Sequence, residues 1–535
     1  MSKKHKKTDA VIQPDKKIKT DLLSKMNHAL KKHERWLPWV TVSIYFIAMA
    51  WLTLRYHTTG DFGVETDFYA ELAHQSRQLL RGDFSVMNYG PKGPVYSFIL
   101  AGVYLVVRDY FLSGLLINLI SSFVFLIVLF YLIKLLFNRI TAFVVILAIA
   151  FNFSFQSYTY QAGSDLPFMA TSILSIFFLF RSEKRSYLIL SAAFGLLAFL
   201  TRYNGAFIVA GSMLYLVYTG GTFRDRLKRI GLWMGVFLCL GLPWFIPNFI
   251  IRGNPVFNSN YMNVMIEFYG IGQEGFSTES WYAELPEKFS NLGDVVFYDP
   301  VHFVTHLIGN IVTHFLLDIQ KMIGSLLGIF IVLGSLMLFI AKPGRKRLLY
   351  LSFGVVYFLI LTLVFYSERF SMFLLASYFP FGVWPFTERK PLKYLRKFSF
   401  VPVMIIILLV AASGYTSTRK TLQAIKSGPL TIELKQIGKL LDSEEPDKSQ
   451  KIIARKPNTA HYAGFAPAMF PDNTETIEQL IEFCHSNNVR YILFSVVEFA
   501  KRPNMRMLAY PDFEHPGLDV LYKSQTAIVY RVKGI

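Results

Sequence analysis

Apolar runs dominate the first 415 residues of this chain, and short polar stretches punctuate them. A membrane-crossing helix needs about 20 apolar residues, fewer where it is tilted or shielded by protein. On that measure spans are expected near Trp36–Leu54, Phe111–Ile133, Ile140–Tyr158, Leu166–Phe180, Tyr187–Thr201 and Ala206–Tyr218. Others follow near Ile230–Ile250, Met322–Ala341, Leu348–Tyr366, Phe370–Phe386 and Phe398–Tyr415. The stretch from Tyr187 to Tyr218 is broken at Thr201–Gly205, where Arg202 and Gly205 argue for two shorter helices rather than one. No run alternates polar and apolar residues over ten positions, which argues against a transmembrane barrel.

Lys and Arg collect where inside loops belong: Lys3–Lys32, Lys134 with Arg139, Arg181–Arg185, Arg224–Arg229, Lys342–Arg347 and Arg389–Lys397. Short cytoplasmic loops retain such residues, so the clusters orient the spans. They also bear on Val95–Val107, which is little longer than a buried core helix and follows Pro91-Lys92-Gly93-Pro94. If that run crossed, three later clusters would move outside. Left as a dipping helix at the outer interface, it keeps every cluster inside. Eleven spans result, with the N-terminus in and the C-terminus out.

Composition agrees with a membrane assignment. Of 535 residues 53% are hydrophobic and only 17% charged, against roughly 25% charged in an ordinary soluble domain. The net charge of +19 is carried by loops between apolar runs, which fits orientation and contact with anionic lipid heads rather than nucleic acid. Two cysteines, Cys239 and Cys484, cannot build a disulfide framework or a cysteine metal site. Residues 1–35 read as a basic cytoplasmic segment leading into a start-transfer anchor, and 36–415 as the membrane domain with outer loops 55–94 and 252–302. Within the second loop region, His302–Gln320 reads as an amphipathic, interfacial segment. Its histidines lack a compact ligand set. From 416 to 535 the chain turns charged, with β-type runs at Lys451–Ala454, Tyr491–Val496 and Ala527–Val532 and a helical pattern at Thr476–Asn487. The fold class expected is a polytopic α-helical membrane protein with a small extracytoplasmic α/β domain.

On this topology Asp67, Lys92, Asp165, Arg202, Glu368 and Arg369 all fall on the outer face. Arg offers a planar fork for phosphate oxygens and Lys a compact charge, while a neighbouring carboxylate can take a proton from an attacking hydroxyl or amine. The combination suits a negatively charged head group on an apolar tail. Each residue also has a plainer explanation. Asp165 would serve as a helix N-cap, Arg202 could snorkel to the interface, Glu368 and Arg369 could mark a turn, and Lys92 could pair with Asp83. Asp61, Glu65 and Glu71 read as solvated loop charges. Placement on a single face favours the functional explanation.

At these residues the sequence resembles the dolichyl-phosphate-mannose protein mannosyltransferase family, glycosyltransferase family 39 of the GT-C superfamily, and its bacterial relatives that use undecaprenyl-phosphate sugars. The matching segments are Asp61-Phe62-Gly63-Val64-Glu65-Thr66-Asp67-Phe68-Tyr69, Asn88–Tyr96, Gly163–Pro167, Leu200–Gly205 and Glu368-Arg369-Phe370 with Pro380 downstream. The resemblance implies a GT-C-like membrane fold and a glycosyltransferase that moves a sugar from a polyprenyl-phosphate carrier to an extracytoplasmic glycan, lipid or protein acceptor. It implies Asp67 as base or acceptor-orienting acid, Asp165 as the second outer acid, and Lys92, Arg202 and Arg369 near the lipid phosphate. Glu65, Tyr69, Tyr96 and Glu368 are secondary candidates. A lipid-linked donor needs no nucleotide motif. No metal ligand set is assigned, and a divalent metal is left open. Two positions depart from the family pattern: Phe68 stands where many members have a second acid, and Lys92-Gly93-Pro94 replaces Lys-Pro-Pro. The rival functions are a lipid or solute transporter, which should carry charges at mid-membrane and show pseudo-symmetric halves, and a non-catalytic envelope scaffold.

Overall fold

The computed structural model describes residues 22–272, 284–388, 398, 400–471, 474–510 and 512–535. Residues 1–21 of the expected basic segment 1–35, the expected basic cluster Arg389–Lys397 and part of the expected second outer loop lie outside the described residues. The chain is mostly helical, with one sheet near its C-terminal end. It is a multi-pass membrane protein: among the described residues five helices are long and apolar enough to cross a bilayer, Leu37–Tyr56, Tyr110–Leu136, Phe223–Arg252, Pro300–Ala341 and Val401–Glu444. Their outer surfaces carry unpartnered apolar side chains, among them Ile44, Ile47, Ile250, Leu336 and Phe339, as lipid contact requires.

The expected span at Ile140–Tyr158 is two helices, Arg139–Ala150 and Phe153–Tyr160, bent by 61°. Asn152 makes the break. Its side chain accepts a hydrogen bond from Phe155 N at 3.1 Å and donates to Met322 O at 2.7 Å, starting a new helix instead of continuing the old one. The break expected at Thr201–Gly205 is present, between helices Arg185–Thr201 and Ala206–Tyr218. Several expected spans are shorter than a bilayer-crossing helix, including Asp165–Phe180 with 16 residues and Leu375–Thr387 with 13. Most side chains of both are buried by neighbouring helices. Glycines set the tightest crossing: a Cβ on Gly334 would lie 1.8 Å from the carbonyl oxygen of Gly382, so small residues let these two backbones meet. Pro300–Leu317 is helical as expected and leads through a π-helical turn, Asp318–Gly324, into Ser325–Leu336.

The C-terminal helix Val401–Ala424 runs past the expected boundary at 415 before Pro429–Glu444 turns onto the sheet. The strands are β1 (Lys451–Ile453), β2 (Ala466–Ala468), β3 (Tyr491–Ser495), β4 (Leu518–Lys523) and β5 (Ala527–Val532), in the order β2-β1-β3-β5-β4. β1 pairs in parallel with β2 and β3, and β5 antiparallel with β3 and β4. Alternation sends Ile452, Leu493 and Val529 toward Leu434, Ile437 and Leu441 on one side. It sends Ile453, Ile492, Phe494 and Ile528 toward Leu480 and Cys484 on the other. Three expected strands are thus confirmed. β2 and β4 are the edge strands, short or half-exposed, and leave a weaker pattern.

Candidate active site

The loop that follows helix Leu37–Tyr56, expected on the outer face, forms Val64–Asp67, a π-helical turn Phe68–Leu72 and helix Ala73–Leu80. Glu65 fixes its position. This carboxylate is fully buried and accepts from His57 Nε2 at 2.9 Å, Asp61 N at 2.8 Å and Ala162 N at 2.8 Å. It is therefore a structural anchor between two loops, not the solvated charge expected. Burial would lower the His57 pKa, but the charge and hydrogen bond of Glu65, with Asp61 beyond, raise it.

Asp67, held on this frame, accepts from Lys92 Nζ at 3.3 Å and Arg369 Nη1 at 2.9 Å through one oxygen, Oδ2. Lys92 also donates to Glu71 at 2.8 Å. Arg369 Nε donates to Asp165 Oδ2 at 2.8 Å, and Arg202 Nη1 pairs with Asp165 Oδ1. Five of the expected residues, Asp67, Lys92, Asp165, Arg202 and Arg369, thus form one connected ionic chain. Its two ends differ. The Asp67 side chain is 37% exposed and that of Asp165 only 5%. Arg202 lies over the Phe370 ring at 5.3 Å, and the space enclosed by Asp165, Arg202, Arg369 and Phe370 is too small to admit water. Burial acts to raise the Asp67 pKa, yet Lys92 and Arg369 outweigh it and bring the value to about 2.

The plainer sequence explanations give way at several points. Ser164, not Asp165, stands at the N-cap, and Asp165 occupies the first turn with both oxygens engaged. Arg202 is buried and ion-paired rather than snorkelling. Asp83 takes hydrogen bonds from Ser85 N and Asn88 Nδ2, leaving Lys92 to Asp67 and Glu71. Glu71, read as solvated, is a member of the chain. Its spacing one helical turn from Asp67 was the available signal.

The remaining candidates lie nearby or apart. Glu368 accepts from Ser154 Oγ at 2.8 Å. Tyr69 directs its hydroxyl away, to Gly60 N at 3.0 Å and Tyr462 at 2.8 Å. Tyr96 is fully buried in the cluster around Phe68 and Phe111. Phe68 itself points into that cluster, with its ring on Phe111 and Gly114, so the side chain at this position does not face the Asp67 ion pairs. Gly93 explains the second departure. A Cβ there would meet the carbonyl oxygen of Leu200 at 2.2 Å, so glycine brings the Lys92 loop against the Arg202 loop. The carboxylates are met by Lys and Arg rather than converging on each other, and among the described residues no three His, Cys, Asp or Glu side chains form a metal-binding group.

Between the helices that flank the Arg202 turn opens a groove of about 700 Å³, lined only by apolar residues including Phe199, Ala206, Phe237, Phe245, Phe249 and Val256. It lies among helices Arg185–Thr201, Ala206–Tyr218 and Phe223–Arg252.

Comparison with known proteins bears out the resemblance read from the sequence. Residues 91–251 match the dolichyl-phosphate-mannose-protein mannosyltransferase family. No curated protein matches the chain in sequence. Among solved structures, ArnT from Cupriavidus metallidurans bound to undecaprenyl phosphate aligns over 93% of this chain and 98% of its own, with TM-score 0.54 and 11% identity. The archaeal oligosaccharyltransferase AglB from Archaeoglobus fulgidus, in complex with an inhibitory peptide and a dolichol-phosphate, aligns over 88% of this chain and 71% of its own, with TM-score 0.60 and 11% identity. The fold is that of these two solved structures.

Proposed function

We propose that this protein transfers one sugar from a polyprenyl-phosphate carrier to an acceptor outside the cytoplasm, by a single inverting displacement. The observation that carries the proposal is the pairing of Lys92 and Arg369 on the half-exposed Asp67, supported by an apolar groove between the helices that flank Arg202 in the chain. A lipid-linked sugar needs a groove for its tail, cations for its phosphate and a base for its acceptor. Lys92, Arg369 and Asp67 supply the last two, and the groove is the candidate for the first. The undecaprenyl phosphate and dolichol-phosphate bound by the two aligned structures support the donor class.

In the proposed reaction the acceptor O–H or N–H attacks the anomeric carbon and its proton passes to Asp67. The bond from that carbon to the phosphate oxygen breaks, and its electron pair leaves on the polyprenyl phosphate. Lys92 and Arg369 stabilise that leaving charge. Nη2 of Arg369 is buried and has no hydrogen-bond partner among the described residues, so it would bond a phosphate oxygen only once donor binding opens the space around it. Arg202, closed off behind Asp165, is assigned to positioning. A carboxylate titrating near 2 is a weak base. Donor phosphate would draw Lys92 and Arg369 from Asp67 and so restore its basicity once the donor is bound.

The topology proposed with this function keeps eleven spans, the N-terminus inside and the C-terminal domain outside. Val95–Val107, with 13 helical residues, is assigned as a dipping helix because its crossing would move three later basic clusters outside. The test is chemical. Purified protein given a polyprenyl-phosphate sugar and candidate acceptors should release free polyprenyl phosphate and form a glycosylated product. Movement of intact substrate across vesicles with no bond cleaved would establish a transporter instead.

A further inference from the structure

The same helices that carry the candidate active site enclose a second cavity at their other ends. Asp165 begins helix Asp165–Phe180 and Arg202 follows helix Arg185–Thr201, whereas the cavity is lined by Phe180 and Arg185. A 17-residue helix separates the two places by about 25 Å. The cavity measures about 1120 Å³. Its basic residues come from three separate segments: Arg185, then Lys228 and Arg229, then Arg345 and Lys346. Its acidic residues are Glu183 and Asp225, and Asp225 is committed to capping helix Phe223–Arg252 through Thr222. Phe180, Leu188, Tyr215 and Leu232 provide an apolar part of the wall.

The excess of Lys and Arg on this face follows from the rule that orients membrane proteins. That rule calls for a number of charges, not for their convergence on one cavity. Some cations elsewhere on this face have partners: Lys134 and Arg139 both pair with Glu34, and Arg347 donates to Leu136 O and stacks over Trp384. At the cavity, Arg229 donates to Ser182 Oγ at 2.7 Å. Among the described residues Arg185, Lys228, Arg345 and Lys346 form no carboxylate ion pair closer than 4 Å. Three helices, Arg185–Thr201, Phe223–Arg252 and Arg345–Leu361, also start at this cavity and add their positive ends. The ends of Asp165–Phe180 and Ala206–Tyr218 oppose them in part.

We infer that this cavity binds the phosphate headgroup of an anionic membrane phospholipid on the face opposite the candidate active site. Basic pockets between transmembrane helices recognise such headgroups. The apolar wall favours a lipid over a soluble anion, because a soluble phosphate gains nothing from Phe180, Leu188 or Leu232. The volume suits a headgroup bearing two phosphates, which could reach cations on all three segments at once.

The test uses the full-length protein in nanodiscs of phosphatidylcholine, with and without about one fifth cardiolipin, and native mass spectrometry of the lipid retained after transfer to detergent. Wild type should keep one cardiolipin. Removing three cations by Arg185→Gln, Lys228→Gln and Lys346→Gln should weaken retention on the order of 100-fold, at about fivefold for each basic group. Removing three charges on the same face outside the cavity, by Arg181→Gln, Arg224→Gln and Lys342→Gln, should leave retention unchanged. All six side chains are exposed, so both variants should fold, and a shared elution profile checks this. Millimolar pyrophosphate should not displace the lipid. Equal retention in the two variants would reduce the cavity to diffuse charge, and displacement by pyrophosphate would make it a soluble-anion site. Either result overturns the inference.

Discussion

At the scale of single residues, Asp67 carries the sharpest expectation. Its carboxylate is exposed on one side and held on the other by Lys92 and Arg369. Asp67→Asn keeps the shape and removes the proton acceptor, so transfer should fall by on the order of 10²–10⁴ while donor binding persists. Transfer at the wild-type rate would remove Asp67 from the chemistry. His57 gives a second expectation, on stability. Its pKa is raised above 6.5 because the attraction of Glu65 outweighs burial. A raised histidine contributes stability that is complete below about 6.5 and is lost as pH rises through its folded-state value. The melting temperature of wild type should therefore exceed that of His57→Gln most at pH 6, with the gap closing as the medium turns alkaline. A gap that widens with pH would show that the imidazole is bound neutral. The ionic chain itself was partly legible: Asp67, Lys92, Asp165, Arg202 and Arg369 could be named because a shared membrane face limits where charges can go. The roles of Glu65 and Glu71 were not, because burial and pairing of a loop carboxylate depend on contacts distant in sequence. Glu65 meets Ala162 across 97 positions.

Among secondary-structure elements, apolar runs announced the helices, but their ends and bends were decided by single polar residues. Arg202 and Gly205 signalled the break at 201–205 because a charge and a glycine together oppose a continuous helix. Asn152 gave a weaker signal, since its cap becomes decisive only when Met322 O is there to take its amide. Strands β1, β3 and β5 were legible from their apolar runs, while edge strands β2 and β4 bury too little to show a pattern. The tight loop at Gly93 belongs to this scale, because it holds the Lys92 and Arg202 segments together. Gly93→Ala places a methyl group against the Leu200 carbonyl. Its cost should be about 1–3 kcal/mol of stability, as for other overpacked sites. The displaced Lys92 should also weaken donor binding more than a surface Gly82→Ala change does. Unchanged melting and donor affinity in Gly93→Ala would mean that the loop has room to move.

For the whole molecule, contacts between distant regions determine which parts share a side of the membrane. The C-terminal domain grips the loop that carries Asp67. Lys435 Nζ donates to Thr58 O at 2.7 Å, Lys456 Nζ to Phe62 O at 3.0 Å, and the hydroxyls of Tyr462 and Tyr69 meet at 2.8 Å. The domain and the candidate active site must therefore lie on one face. Lys228 stands at the start of the 30-residue helix Phe223–Arg252, whose far end donates from Arg252 to Val86 O and Tyr89 O in the same outer loop. Such a helix is about 45 Å long, enough to cross a bilayer, so Lys228 must lie on the other face. The proposed topology, read from the basic clusters, puts Lys228 inside and the candidate active site and C-terminal domain outside. In a background with Cys239→Ala and Cys484→Ala, an exposed Asp442→Cys should react with a membrane-impermeant maleimide on intact cells. Lys228→Cys should react only after permeabilisation. The reverse result would invert the topology and put the donor on the cytoplasmic side, and labelling of both from one side would contradict the crossing of Phe223–Arg252.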